Sequence, residues 1–198
     1  MNRKLTATAF AISALTSVSA FSQTQGYVGV NVGMSHAHQG CGATDLTGAT
    51  TGCGKDDTAF KVYGGYVVPG TDFAGELSYV DLGKFRSSGT DGSGSTKGSY
   101  WGLGAAYRPV FGNGWGGVAR IGEAYGTGKV DYSLASEAGN HSKGDWHPYY
   151  GLGVNYAVAK NIKIEADWDN TRLTAQVPTY ASSTATVNTY SIGATYGF

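Results

Sequence analysis

The chain has 198 residues and equal numbers of basic and acidic side chains, so its formal net charge is zero at neutral pH. This balance argues against nucleic acid as a partner, which would require an excess of positive charge. The chain contains 32 glycines and only 4 prolines, a composition that disfavours helices and suits a curved β-sheet.

The first twenty residues have the three parts of a secretory signal peptide. Arg3 and Lys4 form a basic head, and Leu5–Val18 is an uncharged stretch that leads into small residues suited to signal peptidase. The stretch is shorter than the ~20 residues of a spanning helix, which argues against an inner-membrane anchor. We predict that residues 1–20 are a cleaved signal peptide and that residues 21–198 form one domain.

Eight later segments alternate in side-chain character with a period of two, as β-strands do. One face of each segment carries apolar and aromatic residues, and the other carries glycine, polar and charged residues. Each has close to the ~9–11 residues with which a tilted strand crosses a bilayer. In chain order the predicted strands are Tyr27–Met34, Ala59–Val68, Phe73–Leu82, Ser99–Arg108, Gly117–Gly126, Pro148–Val158, Ile162–Arg172 and Thr186–Phe198.

The connections between these segments alternate in length. Long connections are predicted at about 35–58, 83–98, 127–147 and 173–186, and short ones at about 69–72, 109–116 and 159–161. An even strand number with short periplasmic turns and long outer loops is typical of outer-membrane barrels. The sequence therefore predicts an all-β protein, a closed, eight-stranded antiparallel transmembrane β-barrel with both termini in the periplasm.

Charged residues in the predicted strands share the face that carries the glycines. On a lipid-facing surface each would cost several kcal/mol near the midplane, whereas inside a barrel opposite charges can pair. Eight strands leave an interior just wide enough for side chains to fill, so we expect a plugged lumen. Glu123 has the opposite parity to Arg120, which leaves its direction open. The predicted interior charges are Lys61, Glu76, Arg108, Arg120, Lys163, Glu165 and Asp167.

Aromatic residues on the apolar faces cluster near the ends of the strands, as in the two interfacial girdles of membrane barrels. The predicted outer girdle contains Tyr79, Trp101, Tyr150, Trp168 and Tyr190, and the inner one contains Tyr66, Tyr107 and Tyr156. The last strand ends with Tyr196 and Phe198, an arrangement that resembles the insertion signal of outer-membrane barrels.

Both cysteines, Cys41 and Cys53, fall in the first long connection. Because the exported location is oxidising, we predict a disulfide between them. The alternatives are free thiols or a metal pair with His36 and His38, whose spacing can place both rings on one side of a strand end. Solvated loop histidines are the simpler interpretation, so we assign no metal and no cofactor.

A short group in the third long connection, His141, Ser142 and Asp145, contains residue types used in nucleophilic catalysis. Nothing in the sequence around these residues fixes their geometry. We therefore predict that the protein is not an enzyme.

Four stretches of the chain resemble the small OmpA-like and opacity-related outer-membrane barrel family. They are Lys61–Tyr66, Glu76–Gly83, Pro148–Tyr156 and the terminal strand, in a likeness that covers most of the exported part. The resemblance implies an integral protein of the bacterial outer membrane, and the family includes adhesins and structural tethers. Because no peptidoglycan-binding domain like that of full-length OmpA follows Phe198, we do not expect a direct cell-wall tether.

The function expected from these features is a structural or surface-interaction role, adhesin-like, through the extracellular loops. The alternative is a small porin-like channel for ions or small solutes. A lipocalin-like periplasmic binder would need an apolar interior, and the alternation has the opposite sense. The expected partners are outer-membrane lipid and lipopolysaccharide, the barrel-assembly machinery during insertion, and an unknown host or environmental surface ligand. We expect a monomer, because each strand of a closed barrel has two neighbours.

Overall fold

The structure, a computed structural model, describes residues 26–38, 50–89, 92–134, 138–175 and 183–198. The predicted signal peptide and Cys41 lie outside these residues. No helix in the described part of the chain is long and apolar enough to cross a membrane.

Eight long strands form a closed ring in which every neighbouring pair is antiparallel. The ring closes because β1 pairs with β3 on one side and with β10 on the other, which confirms the predicted eight-stranded barrel. Two short strands, β2 and β6, pair with the ends of β4 and β7. The strands are β1 Gly26–Ala37, β2 Thr50–Gly54, β3 Asp56–Val67, β4 Phe73–Gly89, β5 Gly92–Tyr107, β6 Val110–Gly112, β7 Trp115–Leu134, β8 Ala138–Ala157, β9 Ile162–Ala175 and β10 Ser183–Gly197.

The two ends of the barrel differ. At one end, which we call the turn end, short connections at 68–72, 108–114 and 158–161 join the strands. The first and last described residues also meet there, where the Phe198 amide donates to the Gly26 carbonyl at 2.9 Å. At the opposite end, which we call the hairpin end, β4 and β5 form one hairpin and β7 and β8 form another.

Two hairpins at the hairpin end are longer than the sequence predicts. Pairing between β4 and β5 continues to Gly89 and Gly92, and pairing between β7 and β8 continues to Ser133 and Ala138. The predicted connections at 83–98 and 127–147 are therefore wrong, because they are mostly strand. Their glycine and serine content suggested loops, but neighbouring strands satisfy the backbone hydrogen bonds there.

A bulge at Gly83 reverses the facing of β4 as it leaves the barrel. Asp81 pairs with Ser99 and Lys84 pairs with Lys97, so β4 holds one residue more than β5 between these pairs. Gly83 takes a φ of 77°, where a side chain would be strained. On the turn-end side of the bulge the even-numbered residues of β4 are buried. On the hairpin-end side the odd-numbered residues Phe85 and Ser87 are buried.

The barrel interior has three layers along its axis. An apolar layer fills the hairpin end and a smaller apolar group lines the turn end, with charged residues between them. The apolar layer at the hairpin end contains Ala37, Val80, Leu82, Phe85, Tyr100, Ala124, Tyr149, Leu173 and Val187. The apolar group at the turn end contains Tyr27, Tyr63, Ala74, Ala106 and Val118.

Candidate functional sites in the lumen and at the hairpin end

Two arginines and two glutamates form the centre of the charged layer. Arg120 lies 2.7 Å from Glu76 through Nε and 2.5 Å from Glu165 through Nη2. Arg108 contacts the same carboxylates, at 3.6 Å from Glu76 and 2.5 Å from Glu165. All four side chains are buried. Glu76, Arg120 and Glu165 lie in β4, β7 and β9, and Arg108 directly follows β5, so the ion pairs cross the lumen.

A second group of ion pairs lies beside this centre and shares Arg120. Lys61 lies 3.3 Å from Asp167 and 2.7 Å from Asp169, while Arg120 Nη1 lies 3.0 Å from Asp167. Asn31 donates to the same Asp167 carboxylate at 2.9 Å. Because each buried charge has an opposite charge within reach, the layer avoids the large cost of an isolated buried ion.

Two tyrosines complete the coordination of the glutamates. The hydroxyl of Tyr27 donates to Glu76 at 2.8 Å, and that of Tyr63 donates to Glu165 at 2.9 Å. The rings of these tyrosines also lie under guanidinium groups, with Arg108 at 4.5 Å from Tyr27 and Arg120 at 5.1 Å from Tyr63. Such stacking adds to the attraction that holds an arginine in place.

The structure brings together six of the seven interior charges predicted from the sequence. The exception is Lys163, which is half-buried and makes no ion pair with any described residue. Lys163 lines a cavity of about 440 Å³ at the turn end, together with Arg108 and Asp72. Asp169 was not among the interior charges predicted from the sequence, although its spacing of two residues from Asp167 places both side chains on the same face of β9.

A leucine closes the lumen above the charged layer. Leu173 of β9 reaches across to β5 and β7, where a Cβ added to Gly98 would lie 2.5 Å from its Cδ1. At Gly126 the corresponding distance to Cδ2 is 2.9 Å. The two glycines therefore form a notch for this side chain, and Leu82 packs beside it within the same apolar layer. We call this closure the leucine plug.

The hairpin end carries a polar groove of about 780 Å³ across the extended strands. One cross-strand row of its lining runs from Gly54 through Arg86 and Ser95 to Asp131. Ser87 also lines the groove, and its buried hydroxyl has no hydrogen-bond partner in the described part of the chain. The groove therefore offers a cation, a carboxylate and hydroxyl groups to a polar ligand.

Asp57, at the start of β3, stabilises the part of β4 next to the groove. Its carboxylate accepts backbone hydrogen bonds from Lys84 and Thr58, which lower the pKa of Asp57 below its usual value. Asp57 thereby connects β3 to the bulge of β4.

The aromatic residues predicted for the girdles lie on the outward face of the barrel. Several form close pairs, such as Tyr79 with Trp101 at 4.9 Å and Tyr150 with Trp168 at 5.7 Å between ring centroids. The other predicted members, Tyr66, Tyr107, Tyr156 and Tyr190, and the terminal Tyr196 and Phe198 are exposed outward. The structure adds Phe73, Trp115, Tyr125 and Trp146 to this surface, some of which lie in segments that the sequence suggested were loops.

The direction of Glu123 follows from the register. It pairs with Leu103, which is 64% exposed on the outward face, and Glu123 is itself exposed. Arg120 points inward without a bulge between the two residues. Glu123 is therefore a carboxylate on the outer surface, two residues below Tyr125.

The histidines do not gather into a metal site in the described part of the chain. His36 lies 2.6 Å from Asp56 and its ring centroid is 5.0 Å from that of His38, which contacts Asn188. Cys53 lies exposed in β2, and its predicted partner Cys41 lies outside the described residues. The disulfide stays a prediction.

Comparisons with known proteins agree with this architecture. Residues 6–198 match the family model described as outer membrane protein beta-barrel domain. The neisserial surface protein A structure is similar with a TM-score of 0.60 and 16% identity, over 87% of this chain and 97% of that one. The attachment invasion locus protein of Yersinia pestis, Ail, has a TM-score of 0.50 and 18% identity, over 88% and 99%. No curated protein matches the sequence significantly.

The structural likenesses have low sequence identity and show the fold alone, whereas the family model matches nearly the whole chain. Its span includes all eight barrel strands. The chain therefore belongs to the outer membrane protein β-barrel family, whose members are integral proteins of the bacterial outer membrane.

Proposed function

We propose that this protein is a surface-interaction protein of the outer membrane, adhesin-like, in which the barrel anchors and the hairpin end contacts the environment. The observation that carries the proposal is the contrast between the two ends of the molecule. The lumen is filled by the leucine plug and the charged layer, whereas the extended strands present a groove of about 780 Å³. A filled barrel leaves the exterior of the hairpin end as the surface for binding.

The proposal places the hairpin end outside the cell and both termini in the periplasm. Short turns on the periplasmic side and longer outer connections are the usual layout of such barrels. In the same proposal Tyr196 and Phe198, which point outward at the end of β10, form the insertion signal read by the barrel-assembly machinery. The protein functions as a monomer, because each of the eight strands already has two neighbours.

The proposed disulfide belongs to the hairpin end. Cys53 pairs in register with Ser87 of β4, and Cys53 and Ser87 both line the groove. A bond from Cys41 to Cys53 would tie the connection after β1 to this wall of the groove. Such a crosslink would reduce the freedom of the segment before ligand binding.

Catalysis is not part of this proposal. His141 and Ser142 are consecutive residues of β8, so their side chains point to opposite faces of the sheet. Asp145 accepts a hydrogen bond from the backbone amide of Trp146. These residues do not form a nucleophile and base on one surface.

Shortening one hairpin tests the surface role. Residues 86–95 are replaced by Asn-Gly between Phe85 and Thr96, which are paired and can be joined by a two-residue turn. We expect cells that carry the shortened protein to adhere no better than gene-deleted cells to fibronectin-coated plates, to mucin-coated plates or to bare glass. Cells that carry the full-length protein should adhere better to at least one coating.

The matched control is Lys160→Gln, at an exposed position of the turn end, which should leave adhesion unchanged. Heat-dependent migration on gels confirms that every variant folds, and surface biotinylation of cysteines introduced at Ser88 and Lys160 reports the orientation. Equal adhesion of deleted and complemented strains on every coating would overturn the surface role.

A further inference from the structure

Three lysines lie side by side on the outward face of the barrel at the hairpin end. Lys84 of β4 pairs with Lys97 of β5, and Lys97 pairs with Lys129 of β7. We call these residues the lysine row. Like charges on adjacent strands are unfavourable unless an anion lies over them, so the row suggests an anionic partner.

The facing of Lys84 depends on the bulge of β4. Without the extra residue at Gly83, Lys84 would continue the buried series of Val80 and Leu82. The bulge turns Lys84 outward to meet Lys97, so the row is a product of the fold.

Two carboxylates lie beside the three lysines in the described part of the chain, Asp81 and Asp57, and Asp57 accepts the backbone amide of Lys84 at 2.5 Å. Asp81 lies 3.1 Å from Lys97, whose side chain is still 52% exposed. Neither Lys84 nor Lys129 makes an ion pair with a described residue. The next row carries Arg86 and Asp131, which offset each other in charge. The surface therefore keeps a positive excess.

On the same face, a row of aromatic side chains lies closer to the turn end than the lysine row, and the row that contains Asp81 and Ser99 lies between the two. Tyr79, Trp101, Tyr125 and Trp146 follow one another across four strands, with Tyr125 and Trp146 at 5.3 Å between ring centroids. Lys97 and Trp101 are four residues apart, a separation of about 13 Å along a strand. Tyrosine and tryptophan mark the membrane interface, so the lysines stand at the level of the lipid head groups.

The opposite side of the bulge marks where the basic surface ends. At the start of β3, Asp56 lies 2.6 Å from His36 of β1. The lysine row therefore ends at β4 on this side, and Arg172 of β9 is a separate exposed cation at the hairpin end.

We propose that the lysine row is a binding site for the phosphate groups of the outer-leaflet glycolipid, lipopolysaccharide. Each ammonium group supplies a point charge for a phosphate, and the aromatic row below supports the sugar and acyl region. The proposal rests on the orientation given above, in which the hairpin end is outside the cell. It concerns the outward face of the barrel wall; Lys84 also lines the groove, whereas Lys97 and Lys129 do not.

The test uses the refolded mature chain in nanodiscs of phosphatidylcholine with lipopolysaccharide in both leaflets, so that its outcome does not depend on the orientation in cells. Native mass spectrometry counts the lipopolysaccharide molecules retained by the wild type and by Lys84→Gln, Lys97→Gln and Lys129→Gln, alone and together. We expect each substitution to weaken retention about fivefold, the factor for one cation near an anionic surface. The arginine versions of the three should retain the lipid.

Three controls test whether retention depends on the position of the lysines, on the phosphate groups of the lipid and on the lipid rather than free phosphate. The double variant Lys55→Gln and Lys160→Gln removes two cations outside the row and should retain lipopolysaccharide as the wild type does. Phosphatase-treated lipopolysaccharide should be retained as weakly by the wild type as native lipid is by the triple glutamine variant. Inorganic phosphate at millimolar concentration should not displace the lipid, which separates a lipid site from a free-phosphate site. Equal retention by the wild type and the folded triple variant, or undiminished retention of the phosphatase-treated lipid, would overturn the proposal.

Discussion

Arg120 is the residue on which the interior of the barrel depends. Its side chain is fully buried and lies within 3.0 Å of Glu76, Glu165 and Asp167. A lysine could not replace it, because a single ammonium group cannot reach three carboxylates in the directions that a guanidinium fork offers.

We predict that Arg120→Met destabilises the barrel by about 3–5 kcal/mol, the usual cost of removing one partner from a buried ion pair. Four carboxylates, Glu76, Glu165, Asp167 and Asp169, would then share Arg108 and Lys61, the only remaining interior cations with an ion pair among the described residues. The free energy of unfolding in urea, measured on the protein refolded into lipid vesicles, checks the value.

Lys163→Met is the matched control for this experiment. Lys163 is on the same inner face but is half-buried and outside the ion pairs, so its removal should cost less than about 1 kcal/mol. Equal losses for the two variants would show that the ion pairs do not determine stability. Adding Glu165→Gln to Arg120→Met should recover part of the loss, since it removes one uncompensated charge.

At the scale of the elements, the bulge of β4 separates the membrane-facing strand from its extension. Gly83 has a positive φ, and a Cβ there would lie 2.7 Å from both the Asp57 carboxylate and the Thr58 carbonyl. Its backbone amide donates to Asp81, and the next amide, that of Lys84, donates to Asp57. The backbone conformation and the close approach therefore require glycine at this position, and the two backbone hydrogen bonds hold the bulge in place.

We predict that Gly83→Ala costs more stability than Gly70→Ala in the same urea experiment. Both glycines have φ near 78°, but a Cβ at Gly70 would meet nothing within 4 Å. Gly70→Ala should therefore show only the conformational cost of about 1–2 kcal/mol, and Gly83→Ala should show that cost and the clash. Amide exchange of Lys84 should also accelerate in Gly83→Ala alone, and equal effects of the two variants would contradict the role of the bulge.

For the whole molecule, the order of the layers decides whether the barrel conducts. The leucine plug and the charged layer lie in series along one lumen, so a solute would have to pass both. An apolar constriction excludes water, and the paired charges below it leave no free path between them.

We predict no single-channel steps from the folded protein in a planar bilayer. Heat-dependent gel migration verifies folding beforehand, and the heat-unfolded protein serves as the control for insertion artefacts. Reproducible steps that disappear in Leu173→Trp would show that current passes the plug, and the porin-like alternative would then replace the plugged lumen.

The barrel could be predicted from the sequence by itself, because the alternation of side chains along each strand is a local pattern. Period-two alternation indicated which face of each strand meets lipid, and the shared face of Lys61, Glu76 and Glu165 placed these charges inside before any pairing was known. The even number of segments predicted closure, which the register of β1 with β10 confirms, although two of the predicted long connections proved to be mostly strand.

The hairpin end was decided only by the tertiary structure. The residues of 83–98 and 127–147 look like loop residues until neighbouring strands pair with them, because cross-strand hydrogen bonds are not visible in a single segment. A bulge depends on register between two strands, so the sequence could not show that Lys84 turns outward beside Lys97. Contacts across the lumen, such as Leu173 in the notch of Gly98 and Gly126, join residues far apart in the chain and exist only once the barrel has closed.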